Sequence, residues 1–162
     1  MPSKPSKLRL IWLQGITCNG NTHSFLNDPS LKTLMETVEF LHHPLLPCTM
    51  SLKQLVKKLP KSDILIFEGA YRNDFERAGV AMEVLLRELS QKTKHVIAMG
   101  SCASFGGILK EAEPDRISGI LYDKETMRGP LKELAEKVIL LSGCPAHPKW
   151  LSFTIEMIRL GK

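Results

Sequence analysis

The residues best suited to chemistry are four cysteines, Cys18, Cys48, Cys102 and Cys144. Cys18 lies in "GITCNGNTH", directly after the apolar run "LRLIWL"; Cys102 lies in "GSCASFGG" and Cys144 in "SGCPAHP". Each of these segments carries glycine, which lets a backbone approach a bulky ligand closely. The first has the spacing of a C-x-x-C ligand loop, but its second position is Asn21. A polar residue of a related kind, Glu68 in "FEGA", follows another apolar run, whereas Cys48 in "PLLPCTM" sits in no such loop. Taken singly, each residue has a plainer role: a buried small hydrophobe for a cysteine, a turn residue for Asn21, a helix-start charge for Glu68. Three cysteines in three glycine-containing loops are a different matter. Thiolates distant in sequence and converging in space are what zinc or an iron–sulfur cluster requires. Zinc sites draw on paired C-x-x-C ligands in small ribbons and knuckles, which this chain lacks, so a cluster is the expected occupant.

Convergence depends on the elements that carry the loops. Five apolar runs of strand length recur at Leu8–Leu13, Thr37–Leu41, Asp63–Phe67, His95–Met99 and Lys137–Leu141. Most are apolar on both faces, the pattern of a parallel sheet covered on two sides. Helical patterns fall between them, over Ser51–Leu59, Phe75–Gln91, Gly129–Lys137 and Pro148–Gly161. This alternation predicts an α/β fold, an open doubly wound parallel sheet in a single domain spanning 1–162, with 1–7 a flexible N-terminus. Open α/β sheets bind ligands beyond the carboxyl ends of their strands. Cys18 follows the first strand, Glu68 the third, Cys102 the fourth and Cys144 the fifth, so all four are expected at one end of the sheet. The longest irregular stretch, Lys110–Met127, reads as an insertion loop or a partner-facing segment.

The composition of this 162-residue chain, 43% hydrophobic and 24% charged, fits one globular domain with a real core. Its net charge of +5 is spread beside acids without aromatic interleaving, which argues against a nucleic-acid partner. No apolar run reaches the roughly 18 residues of a membrane span. With no export-type apolar segment and no twin-arginine pair, the expected location is cytoplasmic, with any membrane association made through partners; thiols there stay reduced and a disulfide framework is not expected.

"IWLQGITCNGNTHSFLN", "IFEGA", "AMGSCASFGGI" and "LSGCPAHPKW" together make the sequence recognisable. In order and approximate spacing they resemble the small subunit of nickel–iron hydrogenases, over about Leu8–Ile158, in a form similar to the uptake and sensor-like branch. The resemblance implies a flavodoxin-like domain that packs against a large subunit carrying the nickel–iron site. It implies one proximal iron–sulfur cluster, 4Fe-4S with 3Fe-4S as the variant, and a further electron-carrier protein as acceptor. Carried over by position, Cys18, Cys102 and Cys144 match three cluster ligands, Asn21 stands where the remaining ligand usually is, and Glu68 matches a glutamate near the cluster. Asn21, Glu68 or water could complete the shell.

The chain departs from the family pattern at Asn21 and in ending at Lys162, where uptake-type small subunits continue into a domain with further clusters. An electron leaving the one cluster is then expected to pass to another protein. The competing reading is a regulatory, sensory or assembly module that binds a large subunit without turnover. A third keeps the fold and exchanges the ligand for FMN, against which stands the lack of a Ser/Thr-rich phosphate cradle after the first strand. Phe25, Leu26, Phe105 and Ile108, which flank the ligand loops, are candidates for a partner-facing apolar patch.

Overall fold

The structure is a computed structural model that describes residues 7–162; the expected flexible N-terminus lies, up to residue 6, outside the described residues. Five parallel strands form one sheet: β1 (Leu8–Gln14), β2 (Val38–His42), β3 (Ser62–Glu68), β6 (Thr93–Met99) and β7 (Val138–Leu141). Their order is β2-β1-β3-β6-β7, so the chain winds one way from β1 to β2 and the other way from β3 onward. That reversal next to β1 is the switch point of a flavodoxin-like α/β sheet.

Both faces of the sheet are apolar because alternate residues of each strand enter different cores. Ile11, Leu13, Leu65, Phe67, Val96 and Ala98 meet helices α3 (Leu52–Lys58) and α4 (Met82–Lys92) through Leu55, Leu85, Leu86 and Leu89. Leu10, Trp12, Ile64, Ile66, Ile97 and Met99 meet α1 (Gly20–Leu26), α2 (Leu31–Thr37) and α7 (Pro148–Arg159) through Phe25, Leu34, Leu151 and Ile155. Each fully buried side chain of this size contributes about 1.5–3 kcal/mol by leaving water.

Register brings the strand ends level. Gln14 pairs with Glu68, Glu68 with Met99, and Met99 with Leu141. The loops that bear Cys18, Cys102 and Cys144 therefore all leave from a single row of residues.

The helix expected over Phe75–Gln91 begins only at Met82. Before it lies a short antiparallel hairpin, β4 (Glu76–Arg77) and β5 (Val80–Ala81). Ala78 and Gly79 both have positive φ, 53° and 71°, the two-residue turn that matches strand twist. The segment expected as a helix at Gly129–Lys137 is a 3-10 helix over Lys132–Lys137. Three helices were not visible in the sequence pattern: α1, α2 and α5 (Gly100–Phe105), together with the single turn α6 (Leu109–Ala112). The irregular stretch Lys110–Met127 packs down through buried Ile117, Ile120 and Leu121. Its backbone is tied by Ile120 N–H to Ala103 C=O at 2.7 Å and by Tyr71 N–H to Ser118 C=O at 2.8 Å.

Candidate metal-cluster site

Cys18 lies in the loop between β1 and α1, Cys102 in the first turns of α5, and Cys144 in the turn between β7 and α7. Cys18 and Cys144 are exposed and Cys102 half-buried. The three loops are tied to one another. Ser101 N–H donates to Gly143 C=O at 2.9 Å, and Gly143 N–H donates back to Ser101 Oγ at 3.1 Å. Gly20 is so close to its own loop's thiol and to the Cys144 turn that a Cβ there would lie 3.3 Å from Cys18 Sγ and 4.0 Å from Pro145 Cβ. Gly107, at φ 55°, leaves room for Cys102, whose Sγ would be 2.8 Å from an added Cβ.

Asn21 joins the set as a bridge. Its Oδ1 accepts from Ala146 N–H at 2.9 Å and its Nδ2 donates to Met99 C=O at 3.3 Å. One side chain thus ties the Cys18 loop to the end of β6 and to the Cys144 loop. Gly100 completes the fit: its φ is 88°, and a Cβ there would come 2.4 Å from Asn21 Nδ2.

Glu68 lies fully buried at the end of β3. Its Oε1 accepts from the backbone N–H groups of Asn21 and Thr22, both at 3.1 Å. Its Oε2 accepts from Trp12 Nε1 and Gln14 Nε2, both at 3.1 Å, and from Thr22 Oγ1. The carboxylate is therefore the N-terminal anchor of α1, a short helix whose own preceding residue, Asn19, makes no side-chain cap. Without an external acceptor those first N–H groups would be buried unpaired.

Gln14, Thr22 and Trp12 were not singled out by sequence reasoning. Neither was Arg77, whose guanidinium reaches from the hairpin to donate to Gln14 C=O at 3.3 Å and Gly15 C=O at 3.0 Å. The available signal for Arg77 was the Ala78–Gly79 turn inside a segment of otherwise helical spacing. Cys48 stays apart, exposed on the loop after β2, with its Sγ 3.5 Å from Met50 O. Of the candidate patch residues, Ile108 is 79% and Phe105 38% exposed, whereas Phe25 is fully buried in the core; Leu26 is half-buried.

The electrostatics tie the three thiols together. Burial raises the Cys102 thiol above its ordinary range, and its neighbours Cys144, Cys18 and Glu68 raise it further. Among the described residues no three His, Cys, Asp or Glu side chains approach closely enough to hold one metal ion. Cys18, Cys102 and Cys144 are a soft thiol donor set, of the kind that iron–sulfur clusters take.

A family model described as NADH ubiquinone oxidoreductase, 20 Kd subunit, matches residues 18–158. The chain is 28% identical to the F420 non-reducing hydrogenase II small subunit of Methanosarcina mazei, over 97% of this chain and 50% of that protein. It is 27% identical to the periplasmic NiFeSe hydrogenase small subunit of Desulfomicrobium baculatum, over 96% of this chain and 56% of that one. The chain thus spans about half the length of these relatives. Among solved structures, the Desulfomicrobium baculatum NiFeSe hydrogenase superposes with a TM-score of 0.73 at 23% identity, covering 96% of this chain and 63% of the other. The chain belongs to the family described as NADH ubiquinone oxidoreductase, 20 Kd subunit, and is similar along nearly its whole length to hydrogenase small subunits.

Proposed function

We propose that this chain is the electron-transfer small subunit of a nickel–iron hydrogenase. It would hold one proximal iron–sulfur cluster and pass electrons from the large subunit to a further carrier protein. The observation that carries the reading is the cross-tied set of three cysteine loops on one row of strand ends. An iron–sulfur cluster, when bound, supplies a one-electron carrier.

The rest of the work belongs to the chain. Cys18, Cys102 and Cys144 supply thiolates. Glu68 fixes the start of α1 and with it the Cys18 loop, while the Ser101–Gly143 pair fixes the Cys102 helix against the Cys144 loop. Backbone carbonyls and N–H groups are locked in these ties, so little rearrangement is needed on a change of cluster charge. Nothing in this reading asks the chain for a general base; hydrogen is split on the large subunit. Ile108 and Phe105, exposed beside the Cys102 helix, offer apolar surface toward that subunit. Among the described residues no helix is long and apolar enough to cross a membrane.

The test is co-expression with the nickel–iron large subunit of the same organism, followed by assay of hydrogen-dependent reduction of a viologen dye. The reading expects a complex that reduces the dye and loses that activity with Cys102→Ala. A complex that forms tightly and reduces no acceptor would favour a regulatory or assembly module. Flavin released on denaturation would restore the FMN reading.

A further inference from the structure

The family pattern leaves one corner of the cluster to Asn21, with Glu68 or water as substitutes. We infer that neither side chain ligates, and that this chain supplies three thiolates only. The fourth iron then carries a small exchangeable ligand from solution. The inference rests on the cluster reading given above.

Asn21 Oδ1 holds Ala146 N–H at 2.9 Å and Nδ2 holds Met99 C=O at 3.3 Å, so both ends of the amide are engaged. Rotation toward a metal would release two groups in a buried setting; Asn21 itself is only 8% exposed. Leaving such groups unpaired is costly, and a neutral amide oxygen is a poor match to iron in a thiolate and sulfide shell. The backbone behind Asn21 is closed as well, since Gly100 leaves no space even for a methyl group beside Nδ2. Glu68 is more firmly held. Its five donors come from Trp12, Gln14, Asn21 and Thr22, and swinging it outward would uncap α1 and strand an indole N–H in the core. Both residues are positioning groups: they hold the loops that hold the thiols.

An open corner has a direct probe. The anaerobically reconstituted, reduced full-length chain is mixed with nitrogen-15 imidazole and examined by pulsed EPR, alongside Asn21→Ala. Iron and sulfide are counted in both, and melting temperatures are taken on the metal-free proteins. We expect nitrogen-15 hyperfine coupling in the wild-type chain, with the same iron count in the variant. The metal-free variant should melt roughly 5 °C lower, from loss of the two ties. A three-iron cluster in the wild type that stays three-iron in Asn21→Ala supports the inference too, the corner without a protein ligand having lost its iron. Coupling that appears only in Asn21→Ala would overturn it, because Asn21 would then have filled the corner. So would loss of one iron on the substitution with no change in metal-free melting. The wild-type measurement stands even if the variant fails to fold: four-iron protein without imidazole coupling overturns the inference. Failure of every preparation to bind iron would overturn the cluster reading itself, and is told apart by the iron count.

Discussion

The indole N–H of Trp12 donates to the carboxylate of Glu68 at 3.1 Å, joining the middle of β1 to the end of β3 inside the core. Four more donors converge on the same carboxylate, from Gln14, from Asn21 N–H and from both the N–H and the hydroxyl of Thr22. No donor is redundant. Two backbone N–H groups face Oε1 and three side-chain donors face Oε2, so an amide placed here would aim its own N–H atoms at donors. Glu68→Gln should therefore lower stability by about 2–3 kcal/mol in urea unfolding, despite its near-identical shape. A neutral effect would mean that the carboxylate does not anchor α1.

Gly100→Ala tests how tightly the loops are closed. The substitution faces both a φ of 88° and a contact of 2.4 Å with Asn21 Nδ2. Gly79→Ala is the matched control, at φ 71° with nothing within 4 Å of an added Cβ. The control should cost about 1–2 kcal/mol, the backbone penalty alone. Gly100→Ala should cost about 1–3 kcal/mol beyond that from overpacking, and should lower iron content on reconstitution. Equal losses at the two sites would mean that Asn21 gives way freely.

His43 sets an acid limit on the fold. It is 3% exposed and packs edge-on against Trp12 and Phe40, while its Nδ1 accepts from Leu45 N–H and Leu46 N–H. Its Nε2 is buried without a partner. Burial, reinforced by neighbouring His42 and opposed by Glu68, pushes the imidazole down to about 4 from 6.5. The unfolded chain thus takes up a proton below pH 6.5 while the folded chain resists it until about pH 4. Stability is complete above pH 6.5 and falls as pH drops through that window, by about 3 kcal/mol in total. His43→Asn keeps an acceptor for the turn but removes the titration. Melting temperature against pH should be flatter for this variant between pH 6.5 and 4; an unchanged slope would place the acid sensitivity elsewhere.

The strands could be read directly because each is apolar on both faces, a demand that only a covered parallel sheet makes. Observed β3, Ser62–Glu68, extends the run read at Asp63–Phe67 by one residue at each end. The short helices were hidden for a physical reason. In α1, "GNTHSFL", only Phe25 is a buried hydrophobic anchor, and the helix starts where Glu68, 47 residues away from Asn21, accepts its N–H groups. No local propensity encodes that. The hairpin ahead of α4 was absorbed into a helical spacing because Val80 and Met82 face the same core as Leu85 and Leu89. In the site, the cysteines were legible from type and loop context. The ties were not, since a hydrogen bond such as Asn21 to Ala146 spans 125 residues and depends on the register of the whole sheet.

The central claim is that Cys18, Cys102 and Cys144 together hold one iron–sulfur cluster. Its most direct test is iron and acid-labile sulfide per chain on anaerobically purified wild type and the four single cysteine-to-alanine variants. Wild type and Cys48→Ala should retain equal iron and sulfide, and each of the other three variants should lose most of both while staying folded. Retention of iron in Cys144→Ala, or its loss in Cys48→Ala, would contradict the assignment.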